Sequence, residues 1–446
     1  MKRDNQMMLR GPLLKNMISY TIPIILTGWL QLLFNAADLI VVGQANGSNS
    51  LAAVGATGAI TNLIVNLFIG LSVGAGVTVA HGLGGNDEEA VHRTVHTAIP
   101  AAAISGLFLT AVGVSLSKTF LVWMGTPENI LPLSTLYMQI YFGGMVFNMV
   151  YNFAASILRA AGDTQSPLKF LSIAGVVNVG LNLIFIYVFG MNVEGVALAT
   201  VISQAVSAVL VVRTLMGRTD ACRLDLKKLR IYKPQLLRMI RIGLPAGVQG
   251  SMFSISNVMI QSSINSFGDV VMSGNTAASN IEGFVFTAMN SFNQTAVNFT
   301  GQNVGAQQYD RVKRILWTSL ASVGVAGLVL GGLMYAFGPQ LLRIYISDSP
   351  QAIEYGLIRM QYICLVYFLC GLMDVSTGAL RGMGASLVPM VISVLGVCGI
   401  RLLWIYTVFK AYPTTECLYL SYGVSWVITF LAQFAAFWWV YRKHIK

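Results

Sequence analysis

Charge is what this sequence has least of. Only 10% of its 446 residues are Asp, Glu, Lys or Arg, where soluble domains carry about a quarter. Between Lys15 and Asp87 a single charged side chain occurs, Asp38. Such stretches exclude an ordinary soluble surface. Cysteine is scarce too, and Cys222, Cys364, Cys370, Cys398 and Cys417 contain no C-x-x-C pair. Four of them lie within or at the ends of apolar runs, where a thiol behaves as a small hydrophobe. Of the 4 histidines, His92 and His96 stand at i, i+4 with only Asp87–Glu89 as further donors nearby. That reads better as the start of a cytoplasmic helix than as a metal site. No G-x-x-x-x-G-K-[ST] is present, so an ATP motor of that kind is absent. The first apolar run is too long for a cleaved signal peptide and lacks a small-residue cleavage site.

What the chain has instead is apolar length. Hydrophobic residues make up 55% and 44 glycines are present, small residues of the kind that let membrane helices pack closely. Twelve apolar segments follow one another, at 16–44, 52–84, 92–117, 130–158, 168–190, 195–213, 239–267, 272–304, 315–338, 353–380, 386–410 and 417–441. Each is long enough to cross a bilayer, which takes roughly 20 residues, and in lipid only a helix or a closed barrel satisfies the backbone. The fold class is an all-α polytopic membrane protein. Lys and Arg cluster in alternate loops, including the run from Arg213 to Arg241, and leave only Lys118, Arg343, Arg359 and Lys410 on the other side. The positive-inside rule then places both termini in the cytoplasm of a cell's inner (plasma) membrane. The net charge of +11 belongs to those loops; with Tyr232 the one interleaved aromatic, the basic run is a linker, and no nucleic acid is implied.

The chain repeats itself. Met17, Ile18 and Pro23 recur as Met239, Ile240 and Pro245, a shift of 239 − 17 = 222. Leu158, Arg159, Gly162 and Pro167 recur as Leu380, Arg381, Gly384 and Pro389, again 222, and Gly84, Val91 and Arg93 match Gly305, Val312 and Arg314 at 221. Six segments separate equivalent points, so the copies share one orientation in the membrane. The organisation expected is a six-helix bundle at 1–218, a cytoplasmic linker at 219–238 and a second, parallel-repeat bundle at 239–446, the architecture of transporters.

From end to end the sequence resembles the multidrug and toxic compound extrusion (MATE) family, its DinF-like branch in particular. The resemblance rests on Pro23 followed by NAADLIVVG (Asn35–Gly43), on VAHGLGGN (Val79–Asn86) and FTGQNVGAQ (Phe299–Gln307), and on the pair LRAAGDTQSP (Leu158–Pro167) and LRGMGASLVP (Leu380–Pro389). The major facilitator architecture also has two parallel halves, but its G-x-x-x-D-R-type loop is missing; GGNDEEAVHRTV stands there. The resemblance implies twelve membrane helices and export of organic cations or other amphipaths against a proton or sodium gradient. No other cofactor is implied, and the chain is expected to function as a monomer. A lipid-linked oligosaccharide flippase of the wider superfamily is the alternative, and a membrane enzyme would need a clustered catalytic motif that is not seen.

Ion coupling requires groups inside the membrane that change charge or hold a cation. Asp38, in a segment where a carboxylate costs about 2.5–3.5 kcal/mol on insertion scales, matches the family's first-helix acid. Asn178 and Asn182 share a helical face and by family pattern face Asp38, with Asn152 and Thr200 as further partners. Many relatives carry a second acid where Asn182 stands, so coupling through Asp38 alone is implied here. In the second half, Asp374 matches the tenth-helix acid of NorM-like relatives and Glu282 an acidic position in their eighth helix. Arg401 reads as the only cation inside the membrane and is expected to neutralise one of them. Tyr137 and Tyr141, with Trp29, Phe34 and Met289, are candidate cavity aromatics, since ring faces attract cations.

Overall fold

The computed structural model describes residues 7–346 and 349–445. Among them every regular element is helical: α1 (Leu13–Asn46), α2 (Ser48–Gly84), α3 (Glu88–Trp123), α4 (Leu131–Gly143), α5 (Met145–Ala160), α6 (Gln165–Leu183, continued by a π-helical turn), α7 (Val193–Met216), α8 (Lys233–Asn265), α9 (Asp269–Gly305), α10 (Tyr309–Ala336), α11 (Gly338–Tyr345), α12 (Pro350–Ile363), α13 (Tyr367–Gly382), α14 (Leu387–Ser393), α15 (Ile400–Trp404) and α16 (Thr415–Ile445). They build the twelve expected spans. Nine are long and apolar enough by themselves, and α4 with α5, bent by 48° at the Gly143–Gly144 break, makes a tenth. The remaining two, α8 and α9, have 33 and 37 residues but are rich in Ser, Asn and Gln. On α9 these polar groups face inward, with Asn275, Asn293, Asn298 and Asn303 all buried. Low hydropathy there reports a polar interior. Outward-facing Leu, Val and Phe, such as Leu107, Val176 and Leu395, suit lipid, where an apolar surface costs nothing.

The repeat is visible in the backbone as well. Non-helical positive φ occurs at matched positions: Gly47 (84°) and Gly268 (94°), Asn86 (54°) and Gln307 (57°), Gly162 (92°) and Gly384 (82°). The shifts are 268 − 47 = 221, 307 − 86 = 221 and 384 − 162 = 222. The hydrogen bonds that end the helices repeat too, Asp163 N–H to Leu158 O at 2.9 Å and Ala385 N–H to Leu380 O at 3.0 Å. Glycine meets this conformation at least cost, which is why Gly162 and Gly384 stand there.

The chain divides into two compact units. One is Ile22–Gly247; the other is Val248–Lys446 together with the stretch of α1 up to Thr21. The chain passes from one unit to the other next to Pro23 on α1 and two residues beyond Pro245 on α8. Within the second unit, the start of α1 is held to α9 by Thr21 to Thr295 at 2.7 Å and by Tyr20 stacked edgewise on Phe299. Within the first, the start of α8 lies directly on α2: a Cβ added at Gly70 would stand 2.2 Å from the Gly247 nitrogen. Such glycine contacts let backbones approach where lipid offers no hydrophobic drive.

The basic connection is an ordered strap on the first unit. Arg218 grips Asp220 with two nitrogens, Cys222 and Leu224 are buried, and Tyr232 N–H bonds Thr97 at 3.1 Å. His92 and His96 serve this docking: the rings stack at 3.9 Å, and His96 Nε2 accepts the Asp225 N–H at 3.0 Å.

Candidate functional site

In the first unit, Asp38 lies near the far end of α1, where α6 and α7 supply its partners. Asn182 Nδ2 donates to one carboxylate oxygen at 2.5 Å and Thr200 Oγ1 to the other at 3.4 Å. Asn182 Nδ2 also reaches Asn178 Oδ1 at 3.3 Å. Both asparagines are buried, Asn182 completely. The Asn182 Oδ1 is left buried without a hydrogen-bond partner, an orphan acceptor beside a carboxylate. One helical turn away on α1, beyond α6 and on α7, Val42, Ile186 and Val196 form an apolar cluster against which Tyr137 packs. Water reaching Asp38 is thus limited on that side. Tyr141 stacks on Tyr137 with centroids 6.1 Å apart. Asn152 is not among the partners of Asp38; its amide bonds Asn148 on its own helix at 2.8 and 3.0 Å.

The second unit holds a cavity of about 300 Å³ whose lining includes Glu282, Asp374, Arg359 and Arg401. Here the expectation for Arg401 needs correction. Glu282 is bound by Arg359 of α12, with Nε at 3.0 and 3.2 Å and a terminal nitrogen at 2.8 Å. Arg359, assigned above to an outer loop, is only 6% exposed. Arg401 is therefore not the only cation within the spans, and it does not neutralise Glu282. The reason is geometric: a buried carboxylate needs a partner, and the Arg359 fork offers parallel donors that match it. Asn275 steadies the pair, accepting from Arg359 at 2.7 Å and from the Tyr419 hydroxyl at 3.2 Å.

Arg401 instead lies over the Tyr422 ring at 4.1 Å and donates Nε to Ser425 at 3.2 Å. Asp374 is 6% exposed; its backbone carbonyl accepts from Asn293 at 2.6 Å. Neither Asp374 nor Arg401 has an opposite charge within 4.0 Å among the described residues. Reading the sequence missed Arg359, Asn275, Tyr419, Tyr422 and Trp426. A signal was available for two of them, since Tyr422 and Trp426 recur at i, i+4 in the final segment.

These features define a class: an integral membrane protein of two tandem six-span repeats, each enclosing ionisable groups. The MatE family model matches residues 23–184 and 245–407, offset by 245 − 23 = 222 like the internal repeat. The chain belongs to the MATE family of transporters. It is 27% identical over 426 residues to the probable multidrug resistance protein YpnP of Bacillus subtilis strain 168, covering 95% of each chain. It is 25% identical to the probable multidrug resistance protein NorM of Thermotoga maritima, covering 87% of this chain and 84% of that one. The fold is that of a solved MATE transporter of the MOP superfamily in its outward-facing conformation, with TM-score 0.90 and 21% identity over 99% and 98% of the two chains.

Proposed function

We propose that the chain is a secondary active exporter, moving amphipathic organic compounds, cations among them, in exchange for protons or sodium ions by alternating access. Both termini would face the cytoplasm from the inner membrane, and one chain would suffice. The observation that carries this reading is Asp38, the one acid of its helix, bound by the neutral groups of Asn182 and Thr200. Protonation would remove its charge and loosen its ties to Asn182 and Thr200, changing how α1 packs beyond Pro23. One proton moving inward down the potential is worth about 2.3 kcal/mol per 100 mV. That supports about fiftyfold accumulation of a substrate exchanged with no net charge, at about 1.4 kcal/mol per tenfold. A monovalent cation exchanged for one proton is electroneutral, so only the pH gradient then drives it.

A sodium ion is the second reading, and the orphaned Asn182 Oδ1 favours it. A hard cation is well served by one carboxylate and neutral oxygens. The flippase alternative would call for a net cationic cavity to hold pyrophosphate, whereas two acids here offset two arginines. The test is dye efflux from proteoliposomes under ΔpH or ΔNa⁺ imposed separately. Asp38→Asn is expected to reduce gradient-driven efflux to the leak rate while leaving the protein folded. Wild-type pumping by that variant under the gradient that drives the parent would overturn the role of Asp38.

A further inference from the structure

The strap on the first unit, residues 218–233, carries six basic residues and two acids, a net charge of 6 − 2 = +4. Its acids are engaged locally: Asp220 is held by Arg218, and Asp225 accepts the Lys227 N–H at 3.0 Å. On α3, Glu89 is paired with Arg93. Arg223, Lys227, Lys228, Arg230 and Lys233 are exposed, and none has an acid within 4.0 Å among the described residues. Arg93 and Arg230 gather over the ring of Tyr232, their guanidinium carbons 5.5 and 5.7 Å from its centre. The same stretch lays open Leu226, Leu229 and Ile231, each 36–49% exposed. Large apolar and basic side chains thus share one surface along LKKLRI. Water suits the second kind only.

Backbone bonds fix the height of the strap. Tyr232 N–H reaches Thr97 Oγ1 at 3.1 Å, and Arg230 N–H reaches the His96 carbonyl at 3.4 Å. The first large apolar side chain that α3 exposes is Ile104, 104 − 97 = 7 residues on, or about 10 Å along a helix. On α8, which starts at Lys233, the first is Leu237, 237 − 233 = 4 residues on, or about 6 Å. The polar layer on each side of a bilayer is about 5–8 Å deep. The strap therefore borders the lipid-facing surface of both helices at headgroup depth. We propose that it is a binding surface for anionic phospholipid, with Leu226, Leu229 and Ile231 entering the interface and Lys227, Lys228, Arg230 and Lys233 holding the phosphates. A nucleic acid or an acidic soluble protein would meet the cations but lie on the wrong side of the lipid-facing belt. A charged leaflet meets both kinds of side chain, and basic clusters next to a membrane helix are drawn to one.

The test places a reporter on the strap of the full-length protein. Leu229→Cys is labelled with bimane in a Cys417→Ser background, the other four cysteines being buried. The protein is set in phosphatidylcholine nanodiscs that contain doxyl-labelled phosphatidylglycerol or, in equal amount, doxyl-labelled phosphatidylcholine. One basic residue near a charged leaflet is worth about fivefold, so the anionic quencher is expected to exceed the neutral one about fivefold or more at the label. Lys227→Gln, Lys228→Gln, Arg230→Gln and Lys233→Gln together should make the two lipids equal. Should that variant not fold, Lys227→Gln with Lys228→Gln decides, and should lower the excess. Equal quenching of the parent by both lipids, or an excess that the substitutions do not move, overturns the proposal. So does quenching by aqueous acrylamide and by neither lipid, which would point to a soluble acidic partner. No gradient and no substrate is present and both leaflets hold the same lipid, so the result is independent of the exporter reading and of which face is cytoplasmic.

Discussion

In the first unit Asp38 is the sole acid of its cradle and meets only amide and hydroxyl groups. In the second, Glu282 and Asp374 share a cavity with Arg359 and Arg401. Yet both units are copies of one backbone, down to positive φ at Gly162 and Gly384. The comparison teaches that six-span scaffold and polar insert are separable. A lone acid with neutral partners loses or gains its charge without stranding a counterion. An acid clamped by arginine cannot, which sets Glu282 with Arg359 apart from Asp38, the residue proposed for coupling.

The largest effect should come from breaking the clamp. Arg359→Met strands Glu282 and is expected to cost about 3–5 kcal/mol of stability, whereas Glu282→Leu combined with Arg359→Met should recover most of it. Denaturation in detergent measures both. A neutral single variant would erase the distinction between the two sites.

A smaller effect sharpens the first site. Asn182→Ala removes the short bond to the carboxylate and should cost about 1.5–3 kcal/mol, the range for bonds to charged groups. Thr200→Val, whose contact is 3.4 Å, should cost no more than about 0.5 kcal/mol. The same unfolding assay ranks them; the reverse order would make the threonine the principal partner.

A modest effect belongs to the strap, where Arg218 is buried and its partner Asp220 is partly exposed. Burial opposes ionisation of Asp220, but the Arg218 hydrogen bonds and charge, with the Cys222 N–H, outweigh it and hold the carboxyl below its ordinary value. A depressed carboxyl adds stability above its unfolded-state pKa and loses it as pH falls through the folded-state value. Asp220 is 24% exposed, so the gain is no more than about 1 kcal/mol. Asp220→Asn should therefore lower stability at neutral pH and flatten its decline on acidification; an unchanged acid profile would remove the pair from the account.

Much of this was open to reading in the sequence. The twelve apolar runs, the offset of 222 and the paired prolines are local or periodic, and they survive folding unchanged. Asp38 announced itself by isolation, and the family resemblance supplied Asn182, Asn178 and Thr200. Arg359 was misplaced because it stands six residues into its segment, about 9 Å along a helix, where a snorkelling side chain and a buried one look alike.

The sequence by itself determined the class of fold and its repetition, because a bilayer demands apolar length and loop charge wherever the chain crosses it. Only the tertiary structure decided which charges meet. Arg359 lies 77 residues from Glu282 along the chain, and no periodicity encodes the choice between Arg359 and Arg401. Helix packing makes it, by setting one guanidinium against a carboxylate and the other against the ring of Tyr422.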